Sequence, residues 1–432
     1  MDKERLAAAR RIEDALSSYQ EENSSLFPHI PEPSNPFAIT GAQLASIARE
    51  VQAEGLTPAK EQETLLRRFE EQENLNYENH VKKLRENWPG GDISTDELQK
   101  LLSIIKTIEE AQKLLSDNPE WIKRYDDYAK KLLSNIDNSF IKNIRRRFHE
   151  FSSLRFYISA TRAMKNAEKR LELDLRYRGQ SVATLKATSN DIIISTKGKD
   201  ENNERDFDCT IQLNNVSWKD DKAREFRKKI REGANTRNKT ENNRGNEEHN
   251  VESLLLTEFS KQKSKEKPIC YIQPVKIEGI RFGMPTPLKA SDHKKPLKYA
   301  FEKGGGIDIF ARTGKGRYST YLTVIEVKDE NKVSERPEDA LKQAIQYAVF
   351  IRELLRSKSG KDWYKIFGFK GNIPEQLTIR VACAMPDDIL DTSFGEQSFD
   401  IGNDKIECHY IYFKYNGEQL SDFQTSLGIE NT

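Results

Sequence analysis

The run Leu322, Thr323, Val324, Ile325 is apolar and rich in β-branched residues, and it ends in Glu326-Val327-Lys328. Its composition is that of a buried strand, where a charge is costly unless it is paired or bound to a metal. Alternation puts Leu322, Val324, Glu326 and Lys328 on one side and Thr323, Ile325 and Val327 on the other, so the two charges emerge together at the strand's end. Upstream, "GGGIDIFAR" reads as a second strand carrying one acid, Asp308, between Ile307 and Ile309, followed by the turn-rich "TGKGRYS". That spacing suits an antiparallel pair, which brings the carboxylates of Asp308 and Glu326 together.

Two carboxylates that close repel each other, and one retains a proton unless a cation sits between them. A hard divalent ion resolves the conflict: Mg²⁺ takes oxygen ligands, typically one or two carboxylates plus waters and a substrate phosphate. Lys328 beside it would orient or deprotonate a bound water and offset charge on a phosphate under attack. A surface strand with a solubilising Glu-Lys pair is the simpler alternative. The apolar run, the isolated Asp308 and the close backbone approach allowed by Gly304, Gly305 and Gly306 favour a site.

The rest of the chain sets the context. Its 432 residues allow two or three domains. No window approaches the roughly 18 apolar residues of a membrane span, and the charged start "MDKERLAAARRIEDAL" lacks the pattern of a signal peptide. The four cysteines (Cys209, Cys270, Cys383, Cys408) form no CxxC pair, and the six histidines are dispersed. These features read as a cytoplasmic protein with neither a zinc site nor a disulfide framework. Net charge is +1, yet residues 141–190 carry 12 Lys/Arg against 4 Asp/Glu, which leaves the remainder at −7. A solvated helix face and a phosphate-contacting surface, the latter led by Arg145, Arg146 and Arg147, both explain that excess.

An α+β protein is expected: a mostly helical, coiled-coil-like N-terminal region, then an α/β core with a central mixed sheet. Residues 1–178 read as a helical arm or bundle. Thr57-Pro58 opens one helix, Ser94 and Glu97 form a capping box for another with Leu98, Leu101, Ile105, Ile108 and Leu115 as a seam, and Asn118-Pro119 starts a helix striped by Trp121, Tyr125, Tyr128 and Leu132. That last stripe reads as core packing rather than a base-stacking platform. Residues 179–232 read as a β-hairpin and a basic helix, and 233–250, "GANTRNKTENNRGNEEHN", as a mobile linker. Residues 251–432 follow the order α-β-β-β-α-β-β. No GxxxxGK[ST] motif occurs, which excludes an ATP motor of that kind.

"GID", then "EVK", then a helix containing "QAIQY" resembles the PD-(D/E)XK nuclease superfamily, and Gln343-x-x-x-Tyr347 is similar to the helix motif of its RecB-like branch. The resemblance covers about residues 250–416. It implies a restriction-endonuclease-like core in which Asp308 and Glu326 hold Mg²⁺, with Mn²⁺ as substitute, and Lys328 acts on the attacking water. Gln343 would orient the site or touch substrate, and Tyr347 would support it. Many members add an acid from the first core helix; Glu252, which shares a face with Leu255, Leu256 and Phe259, is favoured over Glu258. Ile307 stands where the family usually has Pro, a departure that removes no ligand. Lys342 and Arg352 would reach phosphate from the second core helix, or simply be solvated.

The resemblance therefore implies a metal-dependent phosphodiesterase acting on DNA, as endonuclease or exonuclease. Large accessory regions of this kind resemble restriction or antiphage defence systems. The helical half would self-associate, track nucleic acid or dock a partner such as a separate ATPase. Two other readings stay open: a catalytically silent nuclease-like scaffold, and the same enzyme directed at RNA, although no RRM or KH signature is present.

Overall fold

The computed structural model describes residues 41–86, 95–136, 154–159, 171–187, 191–198, 211–233, 247–260, 271–277, 279–290, 296–300, 305–314, 320–332 and 335–427. It is mixed α/β, in two compact units, Met1–Ser103 and Ile104–Thr432. Among the described residues no helix is long and apolar enough to cross a membrane.

In the first unit, α1 (Gly41–Ala53) and α2 (Pro58–Glu86) form an antiparallel pair through Ile47, Val51, Leu65 and Phe69. Proline at the first helical position after Thr57 starts α2 where the sequence places it. Arg68 ties the two helices by reaching Glu50 and Glu54 at 3.1 and 3.0 Å. Helix α3 spans Thr95–Asp117, and its residues from Ile104 onward belong to the second unit; Ser94 of the expected capping box lies outside the described residues. There Ile108, Ala111 and Leu115 are buried, so that length of the coiled-coil-like stripe is covered within the chain.

Helix α4 (Glu120–Ile136) carries the aromatic stripe. Trp121 and Tyr125 meet Phe350 edge-on at 5.6 and 4.9 Å, and the Trp363 indole donates to the Tyr125 carbonyl at 3.1 Å. The stripe is core, as its spacing predicts.

Helix does not continue through residue 178. Residues 154–177 contain β1 (Leu154–Ser159) and β2 (Leu171–Tyr177), a correction to the helical reading. Leu154, Phe156 and Ile158, like Leu173, Leu175 and Tyr177, recur at a spacing of two, the period of a strand, and Arg155 and Tyr157 on the opposite face of β1 are buried as well. A two-residue turn leads to β3 (Gln180–Ala187), then β4 (Ile192–Thr196) and β5 (Val216–Ser217). The β4/β5 pairing, Ile194 opposite Val216, fulfils the expected hairpin. The basic helix is α5 (Asp221–Gly233), and α6 spans Glu247–Ser260. Residues 234–246 of the expected linker lie outside the described residues. Its last four, 247–250, are the first turn of α6, with acids at the positive end of the helix dipole.

After α6 come the short strands β6 (Gln273–Pro274), β7 (Lys276–Ile277), β8 (Ile280–Gly283), β9 (Leu288–Lys289) and β10 (Lys298–Tyr299). The main strands β11 (Ile309–Thr313) and β12 (Tyr321–Val327) precede helices α7 (Pro337–Arg356) and α8 (Gly360–Ile366). Strands β13 (Thr378–Pro386), β14 (Ser398–Ile401), β15 (Asp404–Tyr415) and β16 (Leu420–Thr425) complete the fold. One sheet runs β14-β15-β13-β12-β11-β6, with β16 also on β15; β11/β12 are antiparallel, β12/β13 and β13/β15 parallel. The second sheet runs β5-β4-β3-β2-β1-β8-β7. Of the strands lost to the helical reading, β1 pairs with β8, from the region read as residues 251–432, and β2 pairs with β3, so residues 179 and 251 are not sheet boundaries.

Helix α6 buries Val251, Leu255, Leu256 and Phe259 against one face of the main sheet, with Ile309, Ile325, Ala382 and Ile411. Helix α7 covers the other face at Ala340, Cys383, Met385 and Tyr412. At the far end of α7, the buried Asp404 accepts from Arg352 at 2.8 Å, Arg356 at 2.9 Å and the Leu377 N–H at 2.9 Å. Arg352 is therefore committed to the fold rather than to phosphate. Burial alone would raise the Asp404 carboxyl, but Arg356, the Leu377 N–H and Arg352 outweigh it and hold it below the usual carboxylate range. That stabilisation is present above the unfolded carboxylate pKa and is lost as pH falls through the lower folded value. Asp404→Asn should cost about 3 kcal/mol at pH 7 by denaturant unfolding, and the difference from wild type should shrink below about pH 4.

Candidate active site

Strand register brings the site together. Ile309 lies opposite Ile325, so continuing the β11/β12 ladder by one residue sets Asp308 against Glu326. The Val327 N–H donates to Asp308 Oδ2 at 2.9 Å and anchors that carboxylate across the ladder. Lys328, just beyond β12, donates its own N–H to the Ala384 carbonyl at 2.9 Å, which fixes the end of the strand against β13.

Glu326 and Lys328 are only 5% and 6% exposed, so the charged end of the apolar run is buried. The Lys328 ammonium lies 3.3 Å from Glu326 Oε1, 3.3 Å from Glu248 Oε2 and 3.6 Å from Glu335 Oε1. Glu326 Oε2 is buried with no hydrogen-bond partner. A buried carboxylate oxygen left this way carries its full desolvation cost, which a bound cation would remove.

The electrostatics follow. Burial, then the charges of Glu248 and Glu252, push Asp308 up to about 7 against the pull of Lys328 and the Val327 N–H. Burial and Asp308 raise Glu326 well above the carboxylate range. Burial works to lower Lys328, but Glu326, Glu248, Asp308 and Glu335 outweigh it and hold the ammonium above its ordinary value. Lys328 therefore keeps its proton at neutral pH.

Helix α7 supplies the supporting side. Gln343 and Tyr347 are both buried and one helical turn apart on the same face. The Tyr347 hydroxyl donates to the Ala290 carbonyl at 3.3 Å. Burial, then the charges of Glu326 and Asp308, raise its pKa. Gly305 is required there, since a Cβ at that position would stand 2.5 Å from Tyr347 Oη and 2.9 Å from the Leu288 carbonyl oxygen. The glycine approach read from the sequence is thus a tight contact with the tyrosine of the helix motif.

Glu252 is 4% exposed, as its helical face requires, and its charge reaches Asp308. Its oxygens are engaged elsewhere: Oε1 accepts from the Tyr157 hydroxyl at 3.3 Å, and Oε2 lies 3.6 Å from His249 Nδ1. Lys342 is paired with Glu338 at 2.5 Å on its own helix. Arg145, Arg146 and Arg147 lie outside the described residues.

Sequence reasoning missed Glu248, Glu335, His249 and Tyr157. Glu248 stands one turn before Glu252 on α6, a spacing readable only once the helix is known to begin at Glu247. Tyr157 comes from β1, which had been read as helix.

Two carboxylates with one unsatisfied oxygen fit an ion of the Mg²⁺ type, which completes its shell with waters and substrate oxygens. Among the described residues, no group of three or more His, Cys, Asp or Glu is arranged to hold a metal, so Glu252 does not join Asp308 and Glu326 in a ready-made ligand set. No protein-family model, curated protein or solved structure matches the chain.

The raised acids make a thermodynamic prediction for the metal-free protein. A carboxyl whose folded pKa lies above its unfolded value contributes stability that is full below about pH 4 and is lost as pH rises through about 7. In EDTA at pH 8, Asp308→Asn should be more stable than wild type by on the order of 2 kcal/mol. At pH 4 the advantage should vanish, with urea unfolding at the two pH values as the check.

Proposed function

We propose that the protein is a metal-dependent nuclease that hydrolyses phosphodiester bonds, with DNA as substrate, and that residues 247–416 form a core of the PD-(D/E)XK type. The observation that carries this reading is the convergence of Asp308, Glu326 and Lys328 at one strand end, with a buried Glu326 oxygen left without a partner. The order α6-β11-β12-α7-β13, with an antiparallel pair followed by a parallel crossover through α7, supports the fold assignment.

Asp308 and Glu326 would hold Mg²⁺, or Mn²⁺ in its place, and Glu252 would bear on it from α6. Such an ion supplies positive charge to the phosphoryl oxygens and a bound water of lowered pKa. The chain's own groups do the rest. Lys328, kept protonated by its ring of acids, serves as a hydrogen-bond donor and fixed positive charge toward the attacked phosphate rather than as the base. The Glu248 contact must loosen for the ammonium to turn to substrate. Gln343 and Tyr347, buried on one face of α7, would support the site from that helix, and Tyr347 is held by the Ala290 carbonyl.

The alternative of a silent scaffold is less favoured, because the carboxylates and the lysine are all present and converge. A restriction or antiphage setting, a separate ATPase partner and self-association through the helical region belong to this proposal as its biological context.

Purified protein with Mg²⁺ should cleave one or more of plasmid, linear or single-stranded DNA, and RNA run alongside decides the substrate class. Asp308→Asn and Lys328→Ala should each lower the cleavage rate at least about a hundredfold while nucleic-acid affinity stays within a few-fold. Intact substrates under all conditions would remove the enzymatic reading.

A further inference from the structure

Helix α6 meets both sheets. Its apolar face packs on the main sheet, and its first turn sends Glu248 to the Lys328 ammonium at 3.3 Å. The second sheet closes against that same turn of helix. A Cβ at Gly179, in the β2–β3 turn, would come 2.6 Å from the carbonyl oxygen of His249, the residue after Glu248. The end of the β2–β3 hairpin therefore stands beside the stretch of α6 that holds Lys328.

Arg176 lies at that end of β2, paired with Ser181 across the hairpin and two residues before the Arg178-Gly179 turn. Its guanidinium is fixed on two sides. Nε donates to Asp174 Oδ2 at 3.2 Å, and Cζ stands 4.2 Å from the centroid of the buried Tyr157 ring. The support is itself held, since Asp174 accepts from Ser181 Oγ on its other oxygen and Tyr157 packs with Val251 and Leu255 of α6. Yet neither Nη nitrogen of Arg176 donates to a protein group among the described residues, and the side chain keeps 29% of its surface exposed. Gly283 of β8 leaves room beside one of them: a Cβ there would stand 3.9 Å from Arg176 Nη2 and 3.9 Å from Tyr157 Cδ1, so a longer side chain would lie against that nitrogen.

A guanidinium held by Nε and by its flat face, with the Nη side open, presents donors in the fork that phosphate oxygens accept. An arginine that serves only the fold spends those donors inside the chain. Arg352 does so, with Nε on Asp404, Nη1 on Glu353 and Nη2 on the Ile401 carbonyl.

We infer that Arg176 is a phosphate-binding residue for the nucleic-acid substrate: from the second sheet, outside residues 247–416, it takes a backbone phosphate of the DNA strand flanking the bond to be cut. The inference deepens the nuclease reading above and rests on it. Such a contact sets the register of the strand and reads no sequence. A fixed cation at the edge of an acid-rich site also offsets the repulsion that the backbone meets there.

Fluorescence anisotropy of the full chain with a labelled DNA duplex, in EDTA so that no cleavage intervenes, tests this. R176Q should weaken binding about tenfold and reduce the slope of log K against log salt by about 1, while Tm falls by less than about 3 °C. D174N removes the ion pair and keeps the guanidinium, so the salt slope should stay at the wild-type value; a purely structural Arg176 would make the two variants alike. G283V, which covers Nη2, should weaken binding with Arg176 in place, and R176Q/G283V should bind no more weakly than R176Q. Wild-type affinity and slope in R176Q, or an equal loss of slope in D174N, overturns the inference and leaves the nuclease reading standing. Cleavage with Mg²⁺ separates the two levels. R176Q should raise KM with kcat within about threefold of wild type. A wild type that binds DNA and cuts none under any condition removes the nuclease reading and, with it, the role of Arg176 toward a cleaved bond. If R176Q does not fold, G283V decides, and its unchanged DNA affinity would overturn the proposal.

Discussion

The antiparallel ladder between β11 and β12 is the constraint on which the site depends. It sets Asp308 against Glu326, and the Val327 N–H holds the first acid in place. Apolar packing of Ile309, Ile325 and Val327 against α6 fixes the register, because a one-residue slip would turn those side chains away from the core. The hydrophobic pattern of the strands therefore determines the distance between the two carboxylates. The unfavourable electrostatics are imposed by core packing, with the Lys328 ammonium as the local compensation.

That compensation is shared. Lys328 is drawn on by Glu326, Glu248 and Glu335, while Glu252 leans on Tyr157 and His249. More carboxylates than cations meet here, and the surplus shows as the raised pKa of Asp308 and Glu326. Strongly perturbed acids of this sort cluster at functional sites, where stability is lowered to prepare a binding event. The Arg352–Arg356–Asp404 group at the opposite end of α7 shows the contrasting arrangement, in which each oxygen of the buried acid has donors and the carboxyl is held low.

The sequence made the site's centre legible because its elements are local: a strand, a turn, a strand and a helix within about 45 residues carry Asp308, Glu326, Lys328, Gln343 and Tyr347. Period-two alternation and helical spacing suffice for these. Glu252 was legible by its helical face, but what it touches was not, because Tyr157 is 95 positions away. The basic stretch around β1 and β2 drew the reading toward helix, although Leu154, Phe156 and Ile158 keep strand period. Glu248 was hidden by the polar "GNEEHN", whose last four residues are the start of α6. Beyond the local β4/β5 hairpin, the second sheet was illegible: β1 pairs with β8, more than a hundred residues away, and no local pattern announces such a partner.

Diffraction from Mn²⁺-soaked crystals, recorded for anomalous scattering, addresses the central claim directly. A peak within coordination distance of both the Asp308 and Glu326 carboxylates, with the freed Glu326 oxygen as a ligand, is the predicted result. Well-ordered carboxylates with no manganese between them, or manganese bound only at other acids, would contradict it.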